Sequence, residues 1–381
     1  MTYFYLTFFA AAFIFSFLIN SLFLRFSRTL GIRDKNETVI RWASTSKPAF
    51  GGISFYIVFL LSFASYSMFF EAQEVLLNKK IVGLLGTVTI AFMMGLADDA
   101  YNTRPFLKLF VQILCGAILC YSGIHISIFS EMTWNYLVTV LWIVGIMNSV
   151  NMLDNMDSIA AIVALMIFST AAMLIYLSNS AQNNIYFLIL TGLIGSLAGF
   201  MIFNWHPSKL YMGDTGSQVI GLMLGIIGIV YFWNDTATPN SAISITRQLT
   251  IVITAFILPL TDTTIVVINR LMQKRSPFVG GRDHTTHNLF FRGVTEKRIA
   301  LLFGGIGFIS MSAIYYIQTE IQFWGVKEFI LFLVYPLVIF ASLFAITKMK
   351  KNIVNGNGSK EPASSPISTA DTRLQDEKRL A

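Results

Sequence analysis

The chain has 381 residues, of which 55% are hydrophobic and only 12% charged, and its mean hydropathy is +0.66. A globular domain usually carries about 25% charged residues, and soluble cores stop growing beyond about 250–300 residues. This composition excludes a soluble fold, a disordered chain and a disulfide scaffold, and leaves an all-α polytopic membrane protein. The net charge of +7 is then expected to mark basic loops on one side of a lipid bilayer, with no nucleic-acid partner.

Apolar stretches long enough to cross a bilayer lie at 3–24, 51–70, 81–97, 106–123, 134–150, 158–178, 185–203, 218–234, 247–269, 299–318 and 328–347. They predict eleven transmembrane helices. No basic region precedes the first, which argues against a cleaved signal peptide. Cys115 and Cys120 share the fourth stretch without metal-site or redox spacing, and read as packing residues. Residues 1–347 form the membrane domain; the polar stretch 348–381 is expected to be a disordered cytoplasmic tail. Of the 27 Lys and Arg residues, 23 fall in the odd-numbered connections and the tail. Only Lys79, Lys80, Arg247 and Lys327 fall on the other side. This bias predicts a cytoplasmic C-terminus and an N-terminus outside.

The acids that matter cluster at the cytoplasmic ends of these stretches. Asp98 and Asp99 close the third, and Asn148, Asn151, Asp154 and Asp157 follow the fifth at intervals of three. Such spacing projects as one polar stripe on a helix. Asp214 lies in Gly213-Asp214-Thr215-Gly216-Ser217, a run suited to a tight turn that exposes the acid and backbone N–H groups. Asp262 is seven residues before the end of the ninth stretch, about 10 Å up its helix. Pro259, one turn earlier, predicts a kink. Arg282, His284 and His287 occupy the following loop, where they would supply positive charge and hydrogen-bond donors to a diphosphate. His206 lies in a loop on the same side with no partner evident, and His125 falls on the opposite side. Oxygen donors of this kind suit Mg2+ in phosphoryl transfer.

In order and spacing these motifs resemble the polyprenyl-phosphate N-acetylhexosamine-1-phosphate transferase superfamily. The resemblance runs from Lys47-Pro48 and Gly51-Gly52, through Asp98-Asp99 with Lys108 and Asn148-x-x-Asn151-x-x-Asp154-x-x-Asp157. It continues with Phe203-Asn204, Met212 to Ser217, Pro259, Asp262 and Arg275-Ser276-Pro277-Phe278, and ends at Asp283-His284-x-x-His287 and Gly293. It implies a cytoplasmic-face active site that joins a sugar 1-phosphate from a UDP-sugar to a polyprenyl (undecaprenyl) phosphate, releasing UMP. The enzyme would sit in the cytoplasmic (inner) membrane, with a homodimer as a family precedent. By the same resemblance, Asp98, Asp99, Asp154, Asp157 and His284 are catalytic. Lys47, Asn102, Lys108, Asn148, Asp262, Arg282 and His287 contact substrates. Asn151 and Asp214 hold Mg2+, with Mn2+ as a substitute.

Two departures stand out. Many bacterial members have glycine after each acid of the Asp-x-x-Asp run, where this chain has Asn155 and Ser158. The loop reads His284-Thr285-Thr286-His287 rather than the three consecutive histidines of the muramyl-pentapeptide branch. The expectation is therefore a UDP-N-acetylglucosamine-type donor at the first membrane step of a cell-envelope glycan pathway. A phospho-MurNAc-pentapeptide transferase and an ion-coupled transporter are the alternatives.

Overall fold

The computed structural model describes residues 2–29, 48–70, 78–234, 242–276 and 281–349. Among these the regular structure is helical throughout. In chain order the helices are α1 (Thr2–Thr29), α2 (Gly51–Phe69), α3 (Lys79–Tyr101), α4 (Pro105–Tyr121), α5 (Met132–Leu153), α6 (Ile159–Leu177) and α7 (Ile185–Asn204). There follow α8 (Gly213–Ile227) with a π-helical extension (Gly228–Trp233), α9 (Ala242–Ala255), α10 (Ile257–Met272), α11 (Thr285–Phe290), α12 (Glu296–Thr319) and α13 (Val326–Lys348). Nine are long and apolar enough to cross a bilayer, α9 and α10 form a bent pair that would make a tenth, and α4 is a shorter apolar helix. The chain is a multi-pass membrane protein. Lys47, Pro277, Phe278 and the tail beyond Met349 lie outside the described residues.

Helix ends follow local chemistry. Asn78 and Asn184 accept N–H groups from the first turns of α3 and α7. Pro105 opens α4, where its missing N–H costs nothing. Asn102 closes α3 at a φ of 50°, a left-handed C-cap. The outward faces of α1, α4 and α13 expose large apolar side chains such as Leu18, Phe106, Phe110 and Leu331, the surface that lipid requires. Cys115 and Cys120 are buried and unpaired with each other, as packing residues should be.

Helix α8 is the centre of the bundle. Every residue from Thr215 to Ile227 is buried, and the helix packs on α2, α3 and α5. Close approach is bought with glycine. A Cβ at Gly95 of α3 would sit 2.5 Å from the Asp214 carbonyl oxygen, and one at Gly52 of α2 only 2.1 Å from the Gly216 nitrogen. The segment before α8 also hydrogen-bonds to the start of α2, through Tyr211 N–H to Pro48 O and Gly52 N–H to Met212 O.

Two predicted spans are redrawn. The eighth begins at Gly213, five residues before the expected 218, because the Gly-Asp-Thr-Gly-Ser run is the first turn of a helix rather than a loop turn. Only Gly213 takes the left-handed conformation, at a φ of 72°. The ninth span is broken at Phe256, with α9 and α10 meeting at 78°. Pro259 lacks an N–H, and its ring excludes the carbonyl one turn back. Ser149 Oγ donates to the Pro259 carbonyl (2.6 Å), so Thr263 Oγ1, also 2.6 Å from it, serves as the donor to Ser149.

Gly95→Ala is expected to destabilise the α3–α8 contact by about 1–3 kcal/mol, the usual cost of overpacking, read as a lowered melting temperature in detergent. Gly86→Ala in the same helix, where nothing lies within 4 Å of the new methyl, should show no loss.

Candidate functional site

The site is assembled where the C-terminal ends of α3 and α5 meet the N-terminal ends of α4 and α8. Asp99, the last acid of α3, accepts the backbone N–H of Asp214 (2.9 Å), the N–H of Thr215 (2.8 Å) and the Thr215 hydroxyl (2.6 Å). These are orphan donors of a buried helix, and the carboxylate also opposes the positive end of the helix dipole. Asp99 is thus engaged on both oxygens by α8.

Asp98 points differently. Its Oδ1 accepts the Thr103 N–H (3.0 Å) and the Thr103 hydroxyl, which braces the α3–α4 turn. Its Oδ2 lies 2.7 Å from Lys108 Nζ, and the same ammonium lies 2.8 Å from Asp214 Oδ1. Asn151 Nδ2 reaches that Asp214 oxygen at 2.6 Å and Ser217 Oγ at 2.9 Å. Lys108, Asp98, Asp214 and Asn151 therefore form one cluster from four helices. Asp214 and Lys108 keep some access, with 29% and 18% of their side chains exposed. One turn deeper, Asn148 donates to Gln112 Oε1 (2.7 Å), and Gln112 donates to Gln218 Oε1 (3.1 Å). This amide layer was missed in the sequence. The signal was present, because Gln112 and Gln218 stand four residues after Lys108 and Asp214.

The predicted four-residue stripe does not stay on one helix. α5 ends at Leu153, so Asn148 and Asn151 are helical while Asp154 is the C-cap and Asp157 lies in the turn before α6. Burial, then the charges of Asp214, Asp99 and Asp157, raise the Asp154 carboxyl to about 7. Asp157 faces the loop before α8. It accepts Ser208 N–H (2.9 Å), Ser208 Oγ (2.7 Å) and His206 Nδ1 (3.0 Å). His206 is also 3.0 Å from Glu296 of α12, so the histidine left without a partner in the sequence ties three segments together. Those segments are far apart in the chain, which is why spacing did not reveal them. Ser158 sits at a φ of 69°, a region that favours glycine, and is held by its N–H to Asn204 Oδ1 and its hydroxyl to Asn204 O.

The histidine loop is a short helix docked onto α10. Asp262 accepts His284 Nδ1 (2.8 Å), Thr285 N–H (2.8 Å) and Thr285 Oγ1 (2.6 Å). Any ligand contact of His284 thus falls to Nε2. Arg270 pairs with both oxygens of Asp283 at 2.7 Å. Burial would raise the Asp283 carboxyl, but this guanidinium holds it below the usual range. His287 is buried beside His284, with ring centroids 5.6 Å apart. Burial, then the neighbouring His284, lowers it to about 4. The positive charge expected of His287 from the sequence is thus disfavoured by its buried setting. Arg282 and Asn102 are exposed at the rim. His125 bonds to Ser127, between the far ends of α4 and α5.

The glycosyl transferase family 4 profile matches residues 81–232. The chain is 29% identical over 310 residues to a probable undecaprenyl-phosphate N-acetylglucosaminyl 1-phosphate transferase of Bacillus subtilis, covering 78% of this chain and 79% of that protein. It is 33% identical over 238 residues to a phospho-N-acetylmuramoyl-pentapeptide-transferase of Streptococcus uberis, covering 56% and 68%. A decaprenyl-phosphate N-acetylglucosaminephosphotransferase of Mycobacterium leprae is 24% identical over 306 residues, covering 71% and 74%.

Two outcomes follow from the geometry. Asp99→Ala removes the cap of α8 and should cost about 0.5–2 kcal/mol, seen as a lower melting temperature. His287 binds a proton more weakly when folded, near 4 rather than about 6.5. Its contribution is therefore complete above about pH 6.5 and falls as pH drops towards 4. The melting temperature of the wild type relative to His287→Gln should decline from about pH 7 to about pH 5.

Proposed function

The chain belongs to glycosyl transferase family 4, and on that premise we propose that it transfers N-acetylglucosamine 1-phosphate from UDP-N-acetylglucosamine to undecaprenyl phosphate, releasing UMP. The observation that carries this reading is the Lys108 ammonium set between Asp98 and Asp214, with Asn151 on the same Asp214 oxygen. A cation flanked by acids at a helix N-terminus is suited to phosphate groups and to a divalent ion. The names of the relatives from B. subtilis and M. leprae support the sugar and the lipid class. Counting α4 and the bent α9–α10 pair as spans would give eleven crossings, and with that count the basic-residue bias supports a site on the cytoplasmic face of the cytoplasmic membrane.

Asp214 and Asn151 are the ligands assigned to Mg2+, with Mn2+ as a substitute. Their carboxylate and amide oxygens are hard donors, and Lys108 and Asn151 both engage Asp214 through Oδ1. The chemistry such an ion supplies when bound is neutralisation of charge on the diphosphate and the departing nucleotide. The chain's own residues do the positioning. Lys108 holds a phosphate, and Asp98 orients Lys108. Arg282 and His284 Nε2 face the diphosphate, and the Asp154–Asp157 turn borders the nucleotide. A lipid phosphate oxygen attacks the sugar-linked phosphorus, a new P–O bond forms, and the bond to UMP breaks. Because both carboxylates of the Asp98–Asp99 pair are occupied by Thr103, Lys108 and α8, direct attack is favoured over an aspartyl-phosphate intermediate. Clustering of the acids at helix ends also argues against a transporter, whose ion sites lie near the bilayer midplane.

A UDP-MurNAc-pentapeptide donor is the second reading, favoured by the 33% identity to the S. uberis protein. Purified protein incubated with undecaprenyl phosphate, Mg2+ and a panel including both donors should release UMP with UDP-N-acetylglucosamine. Chelation should abolish turnover. Asp214→Asn should lower it by at least about 100-fold, as loss of a charge-stabilising group does, while the protein remains folded. A chiral β-phosphorus should invert; net retention would overturn the single displacement.

A further inference from the structure

The α5–α6 turn and the histidine helix α11 belong to different parts of the chain, yet they are joined by a side-chain bond. Thr286 Oγ1 donates to Asn155 Oδ1 at 2.7 Å. Asn155 uses its other end as well: Nδ2 donates to the Met152 carbonyl at 2.7 Å, which pins the amide to the last turn of α5. Thr286 is fully buried, so its hydroxyl needs a partner. It stands two residues after His284 and one before His287, and Asn155 directly follows Asp154. The bond therefore spans from the acid turn to the histidines.

Two other ties act on α11 from one direction. Asp262 holds its first residues, and Arg270 holds the preceding Asp283. Both come from α10. Neither sets the distance from α11 to the α5–α6 turn.

We propose that Asn155, acting through Thr286, is a positioning residue that sets the spacing between the Asp154 turn and the His284–His287 helix, and so the fit of the UDP moiety. The inference rests on the reading above, in which that turn borders the nucleotide and the helix faces the diphosphate. It adds a residue whose effect is on donor binding and not on the attack. The latch joins only the turn and α11, so its effect is expected on the donor side.

Kinetics and a double-mutant cycle test it. Asn155→Ala and Thr286→Val each remove the bond, worth about one net hydrogen bond. Each should raise KM for the UDP-sugar about fivefold, with kcat and the KM for the lipid phosphate within about twofold. The double variant should be no worse than either single, because one bond is lost in all three. Thr286→Ser keeps the hydroxyl and should restore wild-type KM. UDP affinity measured by titration calorimetry should fall in parallel, independent of turnover. With an active wild type, variants whose KM and UDP affinity are unchanged, an effect confined to kcat, or additive single effects would overturn the latch while leaving the proposed reaction intact. A wild type that neither binds UDP nor releases UMP would overturn both.

Discussion

Asp99 gripping the amino end of α8 is the contact on which the rest of the site depends. A helix buried from Thr215 to Ile227 cannot leave its first N–H groups unsatisfied in a medium without water. One carboxylate takes two of them and a hydroxyl. The grip also locks α3 to α8, and Gly95 lets those two backbones meet closely enough for it to form, as Gly52 does for α2 and α8. With that distance set, Asp214 arrives beside Lys108 of α4 and Asn151 of α5. Neighbouring acids thus divide the work: Asp99 builds the frame, and Asp98 aims the lysine.

The described charged and polar groups around the site are partnered, as burial demands. Lys108 is shared by two acids and Arg270 is matched to Asp283, while His284 hydrogen-bonds to Asp262 and His206 lies against Asp157 and Glu296. The dipoles a transferring phosphoryl group would meet are in place before substrate arrives, which is how electrostatic stabilisation is obtained without reorganisation. Asp154 differs: burial, with other acids around it, raises its carboxyl to about 7.

Family likeness and local departure are both physically intelligible. Ser158 occupies a left-handed position where glycine is the easy choice, and two bonds to Asn204 hold it there. Asn155, the other departure, turns a side chain that glycine lacks into a tie to α11. Substitutions that look like loosened motif positions in the sequence are thus integrated into the turn.

Composition and apolar run lengths by themselves determined a many-helix membrane protein, because lipid demands long apolar helices whatever their neighbours. Scarcity of acids in such a chain pointed to Asp98 and Asp214, and motif order added Lys108 and Asn151. Only the tertiary structure decided which acid does what. Asp98 and Asp99 are adjacent in sequence but face a lysine and a helix end respectively. Asp154 and Asp157 continue the three-residue spacing but leave the helix, because α5 ends at Leu153. The burial of His287, the partners of His206 and the Asn155–Thr286 bond depend on segments distant along the chain. Burial and hydrogen bonding are properties of neighbours in space, and one-dimensional spacing carries no record of them.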